Sequence, residues 1–273
     1  MSSARRTVLL AGIFLLVCRR RLERGATALL AVAALASAAS CTVTPAPSDL
    51  GALRSFFVED PLPVLEATGA VSFTYKGDTE SGDLFVRTAP GGATLIQLKA
   101  RVTGSLALEI RFDARQLLVI DYVHKSYYQG DNTPETRNTL FSIDLSPEEF
   151  RMVLTGRVSR RDFEQGRGTL QGPHEAVYRR GADRYLFTLG PDGLPMSWVK
   201  QHEGLMQFRV EYRTYLDVPS DGGLPVRLPE RARVYVTGSK PTLVLGLRDF
   251  TAPKHPPEPT FALPPEAAGF QPE

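Results

Sequence analysis

The chain has 273 residues, 42% of them hydrophobic, with 32 Lys and Arg against 30 Asp and Glu. Six of the arginines and one glutamate fall in the first 40 residues, so 26 basic and 29 acidic side chains remain from Cys41 onward, a net −3. With that balance no basic patch argues for nucleic acid, and a total of two cysteines excludes a disulfide-built scaffold.

The front end reads as an export signal. "CRRRLERG", Cys18 to Gly25, is a positive flank, and the apolar stretch Ala26–Ala39 that follows is 14 residues long. A membrane span needs about 20, whereas a basic flank, a short apolar core and small residues describe a secretory signal peptide over residues 1–40. The run ends in Ala38, Ala39, Ser40 and Cys41. This resembles the bacterial lipobox, whose cysteine is lipidated and becomes the mature N-terminus; Ala38 stands where Leu, Val or Ile is usual. The alternative is a free or disulfide-bonded cysteine. If Cys41 is lipidated, the mature chain keeps no second thiol, and a large core must do the work of cross-links. A second apolar run, "TVLLAGIFLLVC", precedes the arginines. One signal does not need both, so residues 1–16 read either as upstream of a true start at Val17 or as part of a long signal.

"TVTPAPSD" is a polar tether completing segment 41–49; stretched out, its eight residues reach about 26 Å. One domain is expected over 50–273. Asp49 can cap a short helix carrying Leu53, Phe56 and Phe57 on one face, ended by Pro61. The period then changes to two. "GAVSFTYKG" alternates Val71, Phe73 and Tyr75 with Ala70, Ser72 and Thr74. "GDLFVRTAPGGATLIQLKARV" is a strand, a turn and a strand. "GSLALEIRFD" places Leu106, Leu108, Ile110 and Phe112 on one face, with Glu109 and Arg111 expected in solvent on the other. "RQLLVIDYV" and "KSYYQG" continue the antiparallel series.

The run breaks at "DNTPETRN". "IDLSPEEFRMVLTG" then marks a helix over 147–155. Ser146 is its N-cap, Pro147 its first residue, Glu149 closes a capping box and Gly156 stops it. Phe150, Val153 and Leu154 form its apolar stripe. Strands resume, with turns at Gly181-Ala182-Asp183, Pro191-Asp192-Gly193 and His202-Glu203-Gly204. "RARVYVTGSKPTLVLGLRDF" adds a hairpin. The pattern predicts about eleven strands and two helices. The Pro-rich end, "APKHPPEPTFALPPEAAGFQPE", cannot be a central strand and should wrap the outside.

Catalytic and cofactor signatures are absent. His124, His174, His202 and His255 lack partners at metal-ligand spacing, and no phosphate-binding glycine loop, GxSxG or CxxC occurs. His124 beside Asp121 could act as a base, but no nucleophile accompanies it. Trp198 reads as core. The expectation is therefore a non-enzyme with neither metal nor cofactor. An antiparallel sheet of this length curls into a mainly β, open half-barrel. Its concave apolar face would be covered by short helices, leaving a hydrophobic cavity lined by Val71, Phe73, Leu106, Leu108, Ile110 and Phe112. Helix 147–155, through Phe150, Val153 and Leu154, would be the lid. Such a hollow suits acyl chains, at about 0.8 kcal/mol per buried CH₂.

The order helix, six strands, helix, remaining strands resembles the LolA/LolB lipoprotein-localisation family. "VTGSLALEIRF" is similar to its Gly-Ser hairpin with alternating leucines, and "IDLSPEEFRMVLTG" to its Ser-started helix ending in Leu-x-Gly. "FALPPEAAGF", with Phe261, Pro264, Pro265 and Gly269, is similar to its closing stretch. The resemblance covers most of residues 50–270. It implies a half-barrel that receives the acyl chains of other lipoproteins. With the anchor at Cys41 it implies a LolB-like acceptor on the periplasmic face of the outer membrane, its partners being the membrane, lipoprotein acyl chains or other lipid, and a periplasmic carrier protein. Where that family protrudes a hydrophobic residue just before Gly-Ser, this chain has Thr103, preceded by Val102. The alternative is an anchored envelope interaction or sensor module with a filled core and no transported ligand.

Overall fold

A computed structural model describes residues 55–58, 65–75, 78–89, 91–218, 226–236, 241–251 and 258–272. The signal peptide, Cys41, the tether and Leu53 lie outside the described residues, all of which belong to the unit Thr44–Glu273.

The strands are β1 (Phe57–Val58), β2 (Leu65–Tyr75), β3 (Asp78–Thr88), β4 (Thr94–Lys99), β5 (Leu106–Phe112), β6 (Gln116–Asp121) and β7 (Ser126–Asp131). Helices α1 (Pro134–Phe141) and α2 (Pro147–Thr155), strand β8 (Val158–Ser159) and helix α3 (Arg160–Gln165) follow. Then come β9 (Thr169–Gly172), β10 (Glu175–Arg180), β11 (Asp183–Leu189), β12 (Pro195–His202), β13 (Leu205–Tyr212), β14 (Tyr215–Val218) and β15 (Val226–Pro229). Strands β16 (Arg231–Tyr235), β17 (Leu243–Thr251) and β18 (Gln271–Pro272) complete the order.

Fourteen of these strands form one sheet, in the order β18-β7-β6-β5-β4-β3-β2-β17-β16-β13-β12-β11-β10-β9. The expected number was about eleven; short pieces such as β9 and β18 make up the difference. The sheet is curved and open, not a closed barrel. The meander β2–β7 meets the later strands through antiparallel pairing of β17 with β2, in register Leu245↔Val71 and Leu243↔Phe73. The three turns named above lie between β10, β11, β12 and β13, as their Gly and Asp residues require.

Side-chain alternation sends Val71, Leu84, Leu108, Ile110, Leu245 and Val210 to the concave face, where they join one continuous core. That core has two halves. Strands β10–β13 fill theirs with rings: Tyr178 stacks on Tyr185 at 4.5 Å, and Trp198 meets Phe208 edge-on at 5.2 Å. Phe56 packs between Phe163 at 5.6 Å and Phe187 at 5.1 Å. Strands β2–β6 present mostly aliphatic side chains there, with Phe73 and Phe112 the aromatic exceptions.

Phe57 departs from the expected helix. It starts β1, which pairs in parallel with β8, Phe57↔Val158. Phe56 and Phe57 are both buried against Phe163 of α3, at 5.6 and 5.2 Å, and this packing outweighs the helical spacing of three and four. The sequence reading also missed α1 and α3. Thr133 caps α1 by accepting the Thr136 N–H at 3.2 Å, and Ser159 caps α3 by accepting that of Asp162 at the same distance.

The convex side of β5 is not solvated. Glu109 is 3% exposed. It accepts Gln97 Nε2–H at 2.7 Å and Arg111 Nε–H at 2.7 Å. Arg111 in turn donates to the carbonyls of Thr260 at 2.7 Å and Ala262 at 3.1 Å. The described part of the C-terminal segment thus lies across the outside of the sheet. Ala267, Phe261, Leu263 and Phe270 cover Leu118 and Ile120, and β18 pairs in parallel with β7. Glu109 and Arg111 therefore form a covered ion pair rather than the expected solvated face.

Candidate functional site

A hollow lies under the aliphatic half of the concave face. Its walls include Val71, Leu84, Leu98, Leu108, Ile110 and Leu245, and Phe141, Ile143, Leu145 and Phe150 close it from the helical side. The free volume is about 100 Å³. Ligand pockets usually measure about 300–1,000 Å³, so the hollow is narrow, and it is partly open to the surface. Apolar voids of this class stay dry and accept nonpolar guests.

Few polar groups line it: Thr74, Thr242, Asn132 and Arg137. The Arg137 guanidinium is already satisfied. Its Nε and Nη2 donate to Asp144 Oδ1 at 2.8 and 2.5 Å. Its Nη1 donates to the Asn132 carbonyl at 3.0 Å and to Asn132 Oδ1 at 2.9 Å. The cavity wall there is neutral overall, which suits hydrocarbon and not a free charge.

Of the residues expected in the cavity, Val71, Phe73, Leu108, Ile110 and Phe112 line it, together with Phe150. Leu106 does not. The β4–β5 register shifts between Leu98 and Lys99, and Leu106 pairs with Lys99 at the strand's open end. Val153 and Leu154 are fully buried in the core and do not line the hollow. The Phe112 and Phe150 rings meet edge-to-face at 5.5 Å across the cavity wall.

Helix α2 is fastened to the sheet at several points, so it is not a free lid. Ser146 Oγ accepts the Glu149 N–H at 3.2 Å and Glu149 Oε2 accepts the Ser146 N–H at 2.8 Å, completing the capping box. The other carboxylate oxygen, Oε1, accepts Tyr185 Oη–H at 2.7 Å and pairs with Lys200 Nζ at 2.8 Å. Lys200 also approaches Asp183 Oδ2 at 3.4 Å, and Asp183 Oδ1 meets His202 Nδ1 at 2.7 Å. Burial alone would push the Lys200 ammonium down, but Glu149 and Asp183 hold it above the ordinary lysine value. Burial, then the Glu149 charge, pushes the Tyr185 phenol far up. At the other end, Tyr212 Oη donates to the Met152 carbonyl at 2.7 Å and accepts Trp198 Nε1–H at 2.9 Å. Gly156 then ends the helix at φ 61°, a conformation that favours glycine.

The lighter cover is α1 with the loop behind it. Leu140 is its one buried residue, and Ser142 turns the chain at φ 56°. Phe141, Ile143 and Leu145 are the parts of this segment that face the hollow. Segment 134–145 is thus the more lightly held cover of the hollow, in place of helix 147–155. The only sequence signals for α1 are the Thr133 cap, Pro134 at its first position and Glu135 in its first turn, because it lacks an apolar stripe.

The hairpin tips β4–β5, β6–β7 and β12–β13 lie along the same edge of the sheet. Val102 at the first is 98% exposed, Val123 at the second 68% and Leu205 at the third 72%. The protruding residue is Val102, while Thr103, also exposed, hydrogen-bonds its neighbour Ser105, Oγ1 to Oγ 2.6 Å. Asp121 and His124 form a turn clamp: Asp121 Oδ1 accepts the N–H groups of Val123 and His124 at 3.0 and 2.9 Å, and Asp121 Oδ2 meets His124 Nδ1 at 2.8 Å.

Six consecutive strands, then helices over the concave face, then the returning strands of one open sheet give the architecture implied by the sequence resemblance. The fold is mainly β, one large curved open sheet with a few short helices. No protein-family model and no curated protein matches the chain. Among solved structures it is similar to a LolA superfamily protein from Nitrosomonas europaea, at 12% identity and TM-score 0.48, over 78% of this chain and 96% of that one. It is also similar to a putative outer membrane lipoprotein-sorting protein domain from Vibrio parahaemolyticus, at 8% identity and TM-score 0.48, over 72% and 88%. A DUF1329 family protein from Desulfovibrio piger gives 10% identity and TM-score 0.45, over 70% and 85%.

Proposed function

We propose that this protein is an envelope lipoprotein, anchored through Cys41 to the periplasmic face of the outer membrane, that binds acyl chains in its half-barrel. On this reading it is a LolB-like acceptor for lipoproteins delivered by a periplasmic carrier. The role is binding and transfer, not catalysis. The observation that carries it is the hollow of about 100 Å³, walled by apolar side chains and covered by α1 and its loop. An acyl chain of ordinary length exceeds that volume, so entry requires 134–145 to swing away. Each buried CH₂ would return about 0.8 kcal/mol. Val102, thrust into solvent at the β4–β5 tip, suits contact with a bilayer during transfer.

The small free volume favours a second reading, an anchored interaction or sensor module whose core is already filled. Mass spectrometry of species co-purified with a soluble Cys41→Ser form separates the two. Acylated lipids or lipopeptides near one per protein are expected for the acceptor. Their absence, together with no uptake of a hydrophobic fluorophore, would leave the filled-core module.

A further inference from the structure

The convex face carries a groove of its own. Arg213, Arg231 and Arg248 point outward from the end of β13, from β16 and from β17, and all three are exposed. Arg213 lies beside Arg231, its N–H donating to the Arg231 carbonyl at 3.2 Å. Arg231 is opposite Gly246, and Gly246 is opposite Ala70. These last two carry almost no side chain, so the surface sinks between the arginines. The depression is about 540 Å³, with Arg101 on its far side and Glu230 the single carboxylate among its described lining residues. It adjoins a shallower one of about 830 Å³ that shares Ala70, Arg101 and Arg248.

Like charges on neighbouring strands repel. Surfaces of this kind normally alternate sign, as Arg209 and Glu211 do nearby at 3.0 Å. Yet Arg213, Arg231 and Arg248 make no ion pair among the described residues, and Arg101 reaches Asp83 only at 4.0 Å. The repulsion is relieved if an anion from outside lies between them.

The geometry points to this groove as the docking site for an extended acidic segment of a partner protein. Three features select that partner. Guanidinium forks pair with carboxylates in two-point contacts. The row Arg213, Arg231, Gly246, Ala70 crosses four strands, about 14 Å, which an extended chain of about four residues spans. Finally, the floor is recessed and holds none of the exposed Val123, Leu205 or Met206. A flat anionic bilayer would touch the arginine tips and miss the floor. The site is separate from the cavity and does not depend on what the cavity binds.

The test uses the full-length protein in neutral detergent and a fluorescein-labelled octaglutamate peptide, followed by anisotropy. The wild type should bind, less tightly as salt rises. Arg213→Glu with Arg231→Glu should weaken binding by about tenfold or more. Arg115→Glu with Arg161→Glu has the same net charge and should leave it unchanged. If the first pair fails to fold, Arg248→Gln reports on the same groove. No binding by the wild type, or equal loss in both charge-matched pairs, overturns the proposal. So does a stronger, Arg213- and Arg231-dependent affinity for phosphatidylglycerol vesicles, which would make the face a membrane contact.

Discussion

Glu149 of α2 and Lys200 of β12 form a 2.8 Å ion pair with both side chains almost wholly shielded from water. The same carboxylate closes the helix's capping box and receives the Tyr185 hydroxyl. One side chain therefore starts the helix and bolts it to the sheet. Removing one partner leaves the other charge buried, at a cost of about 3–5 kcal/mol. Lys200→Met should lower the urea midpoint accordingly, while Glu149→Gln with Lys200→Met should lose less than the two single losses added together. Additive losses would show that the pair is not coupled.

Lys200 also sets an alkaline limit. Its folded pKa is raised above the ordinary 10.5 by Glu149 and Asp183, which overcome its burial. A raised value means that the native state holds the proton more tightly than the unfolded chain. The stabilisation is complete below about pH 10.5 and is lost as pH rises through the folded value. Urea midpoints of the wild type should fall over that range, and those of Lys200→Met should fall less. Parallel curves would refute this linkage.

The two covering helices should differ in local stability. Amides of 134–145 should exchange by local opening, and those of α2 only with global unfolding. Hydrogen exchange read by mass spectrometry resolves the segments. Equal protection would remove the proposed moving part.

Leu108 is 4% exposed in the cavity wall. Leu108→Glu would place a carboxylate in apolar surroundings, at a cost of several kcal/mol unless it takes up a proton. Lower stability and loss of hydrophobic-fluorophore uptake are expected together. Lower stability with uptake intact would place the ligand site elsewhere.

Cys41→Ser should move the protein from the membrane to the soluble fraction and abolish incorporation of a radioactive fatty acid. Persistent labelling would show that another residue carries the lipid.

The concave face was legible because alternation over "LALEIRF" needs only local sequence. So was α2, whose Ser146–Glu149 signal spans a single turn. The covering of Glu109 was not, because it depends on Arg111 reaching Thr260, 149 positions away. Helix α1 escaped notice because it buries only Leu140 and has no stripe. The apolar stripe of α2 was read as a lid surface, yet Val153 and Leu154 give the same pattern in a fixed core helix. What distinguishes the two is Lys200, Tyr185 and Tyr212 on distant strands, which no local pattern connects to it.

An open sheet has two outermost strands, and each is a template on which another chain can polymerise. Here β7 is partly spoken for: β18 pairs with it at Ser126 and Tyr127 and brings Pro272, which has no N–H to offer a newcomer. At the opposite margin β9 is only four residues long and ends in Gly172. Trimming the C-terminal segment back to Phe261 would strip β7 and uncover Leu118 and Ile120 together. A truncated chain would then carry both a bare strand and an apolar patch, the two ingredients of fibrous aggregation.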